Sequence, residues 1–118
     1  MNPEKTALYK LKYLLLTLAM SIAGIEGYAT HQRAGEITYR HISGLTYEVT
    51  ITTYTFAPSA ADRCELTINW GDGQSSVLPR ANGPSGQTPA GIFCEHTGEN
   101  ITIDIRLNIY TGVHTYAA

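Results

Sequence analysis

The chain has 118 residues carrying eight basic and ten acidic side chains, a formal net charge of −2. That length holds at most one domain. With no basic stripe, the composition argues against nucleic acid as a partner, and a charge balance this mild argues against disorder.

The first segment reads as a delivery signal. Lys5, Lys10 and Lys12 form a basic start, an apolar run extends from Tyr13 through Ile25, and Gly27-Tyr28-Ala29 sets small residues where a signal peptidase reads. Cleavage is expected between Ala29 and Thr30, dividing the chain into a signal peptide, 1–29, and a mature part, 30–118. The bland alternative is an uncleaved anchor, although the run is short and wrongly flanked for a membrane span. The mature part keeps five arginines and no lysine against eight carboxylates, a net charge of −3. Cys64 and Cys94 both lie beyond the signal. In an oxidising compartment such an even pair reads as a disulfide, and closing its ring stabilises a fold by about 3–4 kcal/mol in the loop-entropy model. The competing reading, a metal site, has only His96 nearby as a further ligand.

After a polar start, Glu36 to Ile42 alternates weakly with Ile37 and Tyr39 on one face, and Ser43-Gly44 marks a turn. Leu45 to Phe56 is rich in Thr, Tyr, Val and Ile, the residues suited to a pleated surface. Leu45, Tyr47, Val49 and Ile51 share one face; Thr46, Glu48, Thr50 and Thr52 share the other. The two runs predict an antiparallel hairpin. Pro58 ends the second strand, and Ser59 to Arg63 reads as a connection or a short helical turn.

The stretch Cys64 to Gly73 organises the rest of the chain. Leu66, Ile68 and Trp70 alternate with Glu65, Thr67 and Asn69, the period of a strand with one buried face. Asp72-Gly73 tolerates positive φ and predicts an immediate turn. The strand is expected to lie centrally in a sheet, with Gln74 to Leu78 returning beside it. From Arg80 to Asn100, Pro84, Pro89, Gly83, Gly86 and Gly91 interrupt every period, predicting a long irregular loop stapled through Cys94. Ile101, Ile103, Ile105, Leu107 and Ile109 then share one face of a final strand, expected to cover a core. Thr102, Asp104, Arg106 and Asn108 are expected to face water, with a break at Thr111-Gly112. The sum is an all-β pattern of about five strands, suggesting a sandwich. So few strands scarcely make two sheets, so the sequence is expected to be the front part of a domain truncated before its last strands.

Trp70-Gly71-Asp72-Gly73, followed by His114-Thr115-Tyr116, resembles the two-part signature of PKD-type domains, immunoglobulin-like β-sandwiches common on bacterial surfaces. Here Trp directly precedes Gly, where the usual pattern has Trp, one intervening residue and Phe, and the loop between the two halves is longer and carries a cysteine. A closer resemblance covers nearly all of the mature part. Ala29 to Tyr39, Leu45 to Thr50, Asp62 to Leu66 and Asn108 to Tyr116 are similar to the mature N-termini of large secreted proteins of gliding Bacteroidetes. Those proteins typically end in a gliding-motility-associated sorting domain read by the type IX secretion system. The resemblance implies an incomplete PKD-type sandwich preceded by a signal-peptide helix, belonging to a longer secreted or cell-surface protein whose C-terminal part is missing here. It also implies that Tyr116 acts like a tyrosine corner, its hydroxyl bonded back to backbone, in a strand beside that of Trp70. With that strand cut short, the Leu66/Ile68/Trp70 face is expected to be under-covered.

Little in the sequence points to chemistry. His31, His41, His96 and His114 show no ligand-pair interval. Asp72 as a calcium ligand lacks supporting carboxylates, and turn formation explains it. Glu36 and Glu48, imagined as paired glycosidase acids, read better as solvated charges. Ser75-Ser76 has no base close in sequence. Tyr39, Tyr47, Tyr54, Tyr110 and Trp70 are either a platform for sugars or, more simply, packing. No catalytic residue, metal or cofactor is therefore assigned. The expected function is a non-enzymatic structural or adhesive module outside the cell, linked through the resemblance to gliding motility, with an unknown protein or glycan partner. Contact with the membrane is expected only through the export signal. The alternatives are an accessory carbohydrate-binding module and a hydrolase whose catalytic residues lie beyond Ala118.

Overall fold

The computed structural model describes residues 2–22 and 31–118. The fold is all-β with antiparallel sheets, preceded by one helix. The expected cleavage site, Ala29 and Thr30, lies outside the described residues. Helix α1 spans Pro3–Ile22, and Leu8, Leu14, Leu15 and Leu16 on it are all exposed. No helix among the described residues is long and apolar enough to cross a membrane.

Strands β1 (Gln32–Ser43) and β2 (Thr46–Phe56) form the predicted hairpin, joined at Gly44-Leu45. β2 is central: its β-branched and aromatic residues pair on one side with β1 and on the other with the last strand, Ile105–Thr115. Two ribbons come between them in sequence. β3 (Glu65–Asn69) pairs with β4 (Ser75–Pro79), and β5 (Gly86–Gln87) with β6 (Phe93–Cys94). β7 (Glu99–Asn100) then pairs with the final strand, β8 (Ile105–Thr115), giving a four-stranded sheet in the order β1-β2-β8-β7.

The β3–β4 ribbon packs on one face of this sheet. Trp70, Leu78 and Tyr110 form the buried apolar centre, with Val49, Ile51, Leu66, Ile68 and Tyr116 packed around them. The strand carrying Trp70 is therefore not central in a sheet, because within the described residues β3 has only β4 as a partner. Its burial comes from the sheet beneath it. Gly112 permits the close approach: a Cβ there would lie 2.2 Å from a methyl of Leu78. After β4 the chain descends to the sheet edge, where Arg80 bridges to Tyr110 and Ala81 N–H donates to the Ile109 carbonyl.

Three further expectations are corrected. The final strand does not break at Thr111-Gly112 but runs unbroken to Thr115, and Ile101 and Ile103 precede it in an exposed turn. Its core-facing side is the opposite one: Asn108, Tyr110 and His114 are buried, and Asn108 is 0% exposed. The reason is the two-residue period, because Tyr110, Gly112 and His114 must meet the ribbon and Asn108 shares their parity. Of the Leu66/Ile68/Trp70 face, Trp70 is covered, at 6% exposed, while Leu66 and Ile68 are only half-buried. The exposed part of the inner face belongs to β1, where Ile37 and Tyr39 remain 68% and 77% exposed.

Candidate functional site

The two halves of the sequence signature meet at the closed end of the β3–β4 ribbon. Trp70 N–H donates to the Gln74 carbonyl, so the turn is a three-residue loop, 71–73, rather than a two-residue Asp-Gly turn. Gly71 (φ 85°) and Gly73 (φ 87°) take the left-handed conformations and Asp72 does not. Both glycines are needed, and they aim the Asp72 side chain back at the sheet. One of its oxygens accepts from Gln74 N–H (3.0 Å) and the other from His114 Nε2 (2.7 Å).

His114, buried near the end of β8, lies flat on Trp70, with ring centroids 4.7 Å apart and planes 5° from parallel. Tyr116 meets the same imidazole edge-on at 4.6 Å and 88°. The Tyr116 hydroxyl donates to the Trp70 carbonyl at 2.9 Å, and Trp70 Nε1 donates to Ser76 Oγ at 2.8 Å. Polar tips of buried aromatics are thus satisfied. The His114 contact, foremost, and the Gln74 N–H hold the Asp72 carboxyl below its ordinary value. All six signature residues belong to one clasp joining the ribbon to the sheet. His114 and Tyr116 face Trp70 from the opposing sheet, rather than lying in a strand beside β3.

At the ribbon's other end lies a buried polar network that sequence patterning did not reveal. Asp62 and Arg80 are both buried, and Arg80 Nη2 donates to Asp62 Oδ1 at 3.1 Å and to the Arg63 carbonyl. Arg80 Nη1 donates to the Thr97 carbonyl (2.7 Å) and to Asn108 Oδ1 (2.8 Å). Asn108 in turn donates to Thr53 and Thr55, and Arg106 reaches the second Asp62 oxygen at 2.9 Å. The Tyr110 hydroxyl donates to the Arg63 carbonyl, and burial pushes its phenol above the ordinary value. One carboxylate thus bridges two guanidinium groups in a largely buried setting, an arrangement that holds position through geometry and charge together. The available signal was parity: had His114 and Tyr116 been placed inward, Asn108 and Arg106 would have followed.

Cys64 and Cys94 form a disulfide, with Cα atoms 5.4 Å apart. It ties the loop end to the start of β3 beside Asp62. The chain matches no protein-family model, no curated protein and no solved structure.

The other candidates are dispersed. Glu48 pairs with Arg40 on the surface at 3.0 Å, and Glu36 lies across from Thr52. His41 Nε2 donates to the Gly44 carbonyl, and the His96 ring contacts the Gly83 carbonyl. Among the described residues no group of three or more His, Cys, Asp or Glu is arranged to hold a metal ion. Of the aromatic set, Trp70 and Tyr110 are buried and Tyr54 is half-buried on β2; Tyr39 and Tyr47, joined by Tyr116, line a groove of about 430 Å³ between β1 and β3, with Ile37, Val49 and Ile68. Their rings meet edge to face, Tyr39 to Tyr47 at 66° and Tyr47 to Tyr116 at 71°.

Proposed function

We propose that the chain is a non-enzymatic, PKD-type immunoglobulin-like module of an exported protein, serving as a structural or adhesive element at the cell surface. The observation that carries this reading is the clasp. Every distinctive polar or aromatic group of the signature is spent on another member of it or on nearby backbone, which is what a scaffold requires. A catalytic Asp–His pair needs the imidazole beside a nucleophile, whereas this ring is sandwiched between Trp70 and Tyr116. The exposed leucines of α1 and the disulfide support export, and the resemblance to secreted proteins of gliding bacteria supports a place on the surface.

The carbohydrate-binding alternative has less support, because a sugar platform presents aromatic faces outward and these rings are turned edge to face. Expression of the full chain in a bacterial host tests the proposal. The expected product begins at Thr30, carries an oxidised Cys64–Cys94 pair and is digested by added protease once the outer membrane is opened, with the inner membrane intact. A product retained in the cytoplasm with Met1 intact contradicts it.

A further inference from the structure

We infer that β1 is a self-association edge, through which two copies of this chain join in a symmetric antiparallel pair centred on Thr38. The outer edge of β1 has no partner among the described residues. It is a long strand, all of it exposed, with neither the lysine nor the proline that commonly blunts such edges.

The hydrogen-bond phase defines what that edge offers. Tyr116 N–H donates to the Leu45 carbonyl, and Phe56 N–H donates to the His31 carbonyl. By antiparallel alternation, the odd residues of β2 bond to β8 and its even residues to β1. On β1, Glu36, Thr38 and Arg40 lie opposite Thr52, Thr50 and Glu48 and bond inward. The backbone groups of Gly35, Ile37, Tyr39 and His41 therefore point to the open side.

A two-fold axis through Thr38 pairs these free groups with one another, Ile37 with Tyr39 of the second copy and Gly35 with His41. The same register sets Glu36 opposite Arg40 twice, on the outer face, in the closer non-hydrogen-bonded positions. On the inner face it brings the exposed Ile37 and Tyr39 of each copy against those of the other. The regular run ends at register shifts beside Arg33 and Ile42, and within it, from Ala34 to His41, no like charges meet. A register centred on Glu36 or on Arg40 would oppose like charges at the axis; one centred on Ile37 or Tyr39 forms no ion pair. Backbone phase, charge and apolar pairing thus select one arrangement, isologous and closed.

The test uses the full chain in a mild non-ionic detergent, which keeps the exposed leucines of α1 from associating. Sedimentation at tens of micromolar is expected to show a dimer. Glu36→Arg alone and Arg40→Glu alone each place like charges across the axis and are expected to abolish it. Mixing the two restores a heterodimer, since each Arg then faces a Glu. Cys64 and Cys94 are bonded to each other, so Thr38→Cys introduces the single free thiol and is expected to give a disulfide-linked dimer on mild oxidation. A monomeric wild-type chain, a dimer indifferent to both charge reversals, or a Thr38→Cys chain that does not cross-link would overturn the inference. The cross-link decides the matter even if a charge variant fails to fold.

Discussion

The Asp72 carboxyl accepts from the His114 ring and from Gln74 N–H, and both contacts favour its ionised form. A folded-state value held below the ordinary 3.8 means that the native chain resists taking up a proton that the unfolded chain accepts readily. The resulting stabilisation is fully present above about pH 5 and is lost as the pH falls through and below the ordinary carboxyl range. Melting temperature followed from about pH 6 to about pH 2 should fall more steeply for the wild type than for Asp72→Asn, with the two converging at the acid end. Parallel curves would detach the pH dependence from this contact. Asp62 makes a second prediction at the same scale. It is the shared partner of Arg80 and Arg106, so Asp62→Ala leaves buried cationic charge uncompensated and is expected to cost about 3–5 kcal/mol by chemical denaturation. Glu48→Ala, which breaks a surface pair with an arginine side chain 71% exposed, is expected to cost under about 1 kcal/mol.

At the level of elements, the β3–β4 ribbon sits close on β8 because Gly112 lacks a side chain. Gly112→Ala drives a methyl into Leu78 and is expected to cost about 1–3 kcal/mol. Leu78→Ala in the same chain should recover part of that cost, giving a double-mutant coupling of opposite sign to simple additivity; purely additive effects would mean that the two surfaces do not touch. The hairpin β1–β2 and the strand from Glu65 to Asn69 were legible in the sequence, because each combines β-rich composition with a turn signal. The polarity of β8 was not. Its aliphatic residues alternate more regularly than its core residues do, and hydrophobicity alone favours Ile105, Leu107 and Ile109 as the inward set. The inner face instead carries Asn108, a polar side chain made acceptable by Arg80, Thr53 and Thr55, none of them near it in sequence. A partner that arrives through tertiary contact leaves no local periodic trace. The same holds for Trp70, whose cover comes from His114 and Leu78 rather than from a neighbouring strand.

The described β-structure is a four-stranded sheet with two ribbons, and the β3–β4 ribbon is pinned at both ends by different means. The closed end is held by the aromatic clasp of Trp70, His114 and Tyr116. The open end is held by the Asp62–Arg80–Arg106 network and the Cys64–Cys94 disulfide. Between them the apolar core is small, so specific contacts carry more of the load than in a larger domain. Among the described residues this arrangement leaves the outer edge of β1 unpaired and Ile37 and Tyr39 on its inner face exposed, which is where an adhesive or self-associating function has room to act. Everything proposed for the ribbon depends on the clasp, and the chain contains a single tryptophan to report on it. Acrylamide quenching of Trp70 fluorescence tests it most directly. The clasp requires strong protection in the native chain, several-fold over the urea-unfolded chain, and a marked loss of protection in His114→Ala while the β-sheet signal persists. A native Trp70 as accessible as in urea, or one equally protected without the His114 ring, would contradict it.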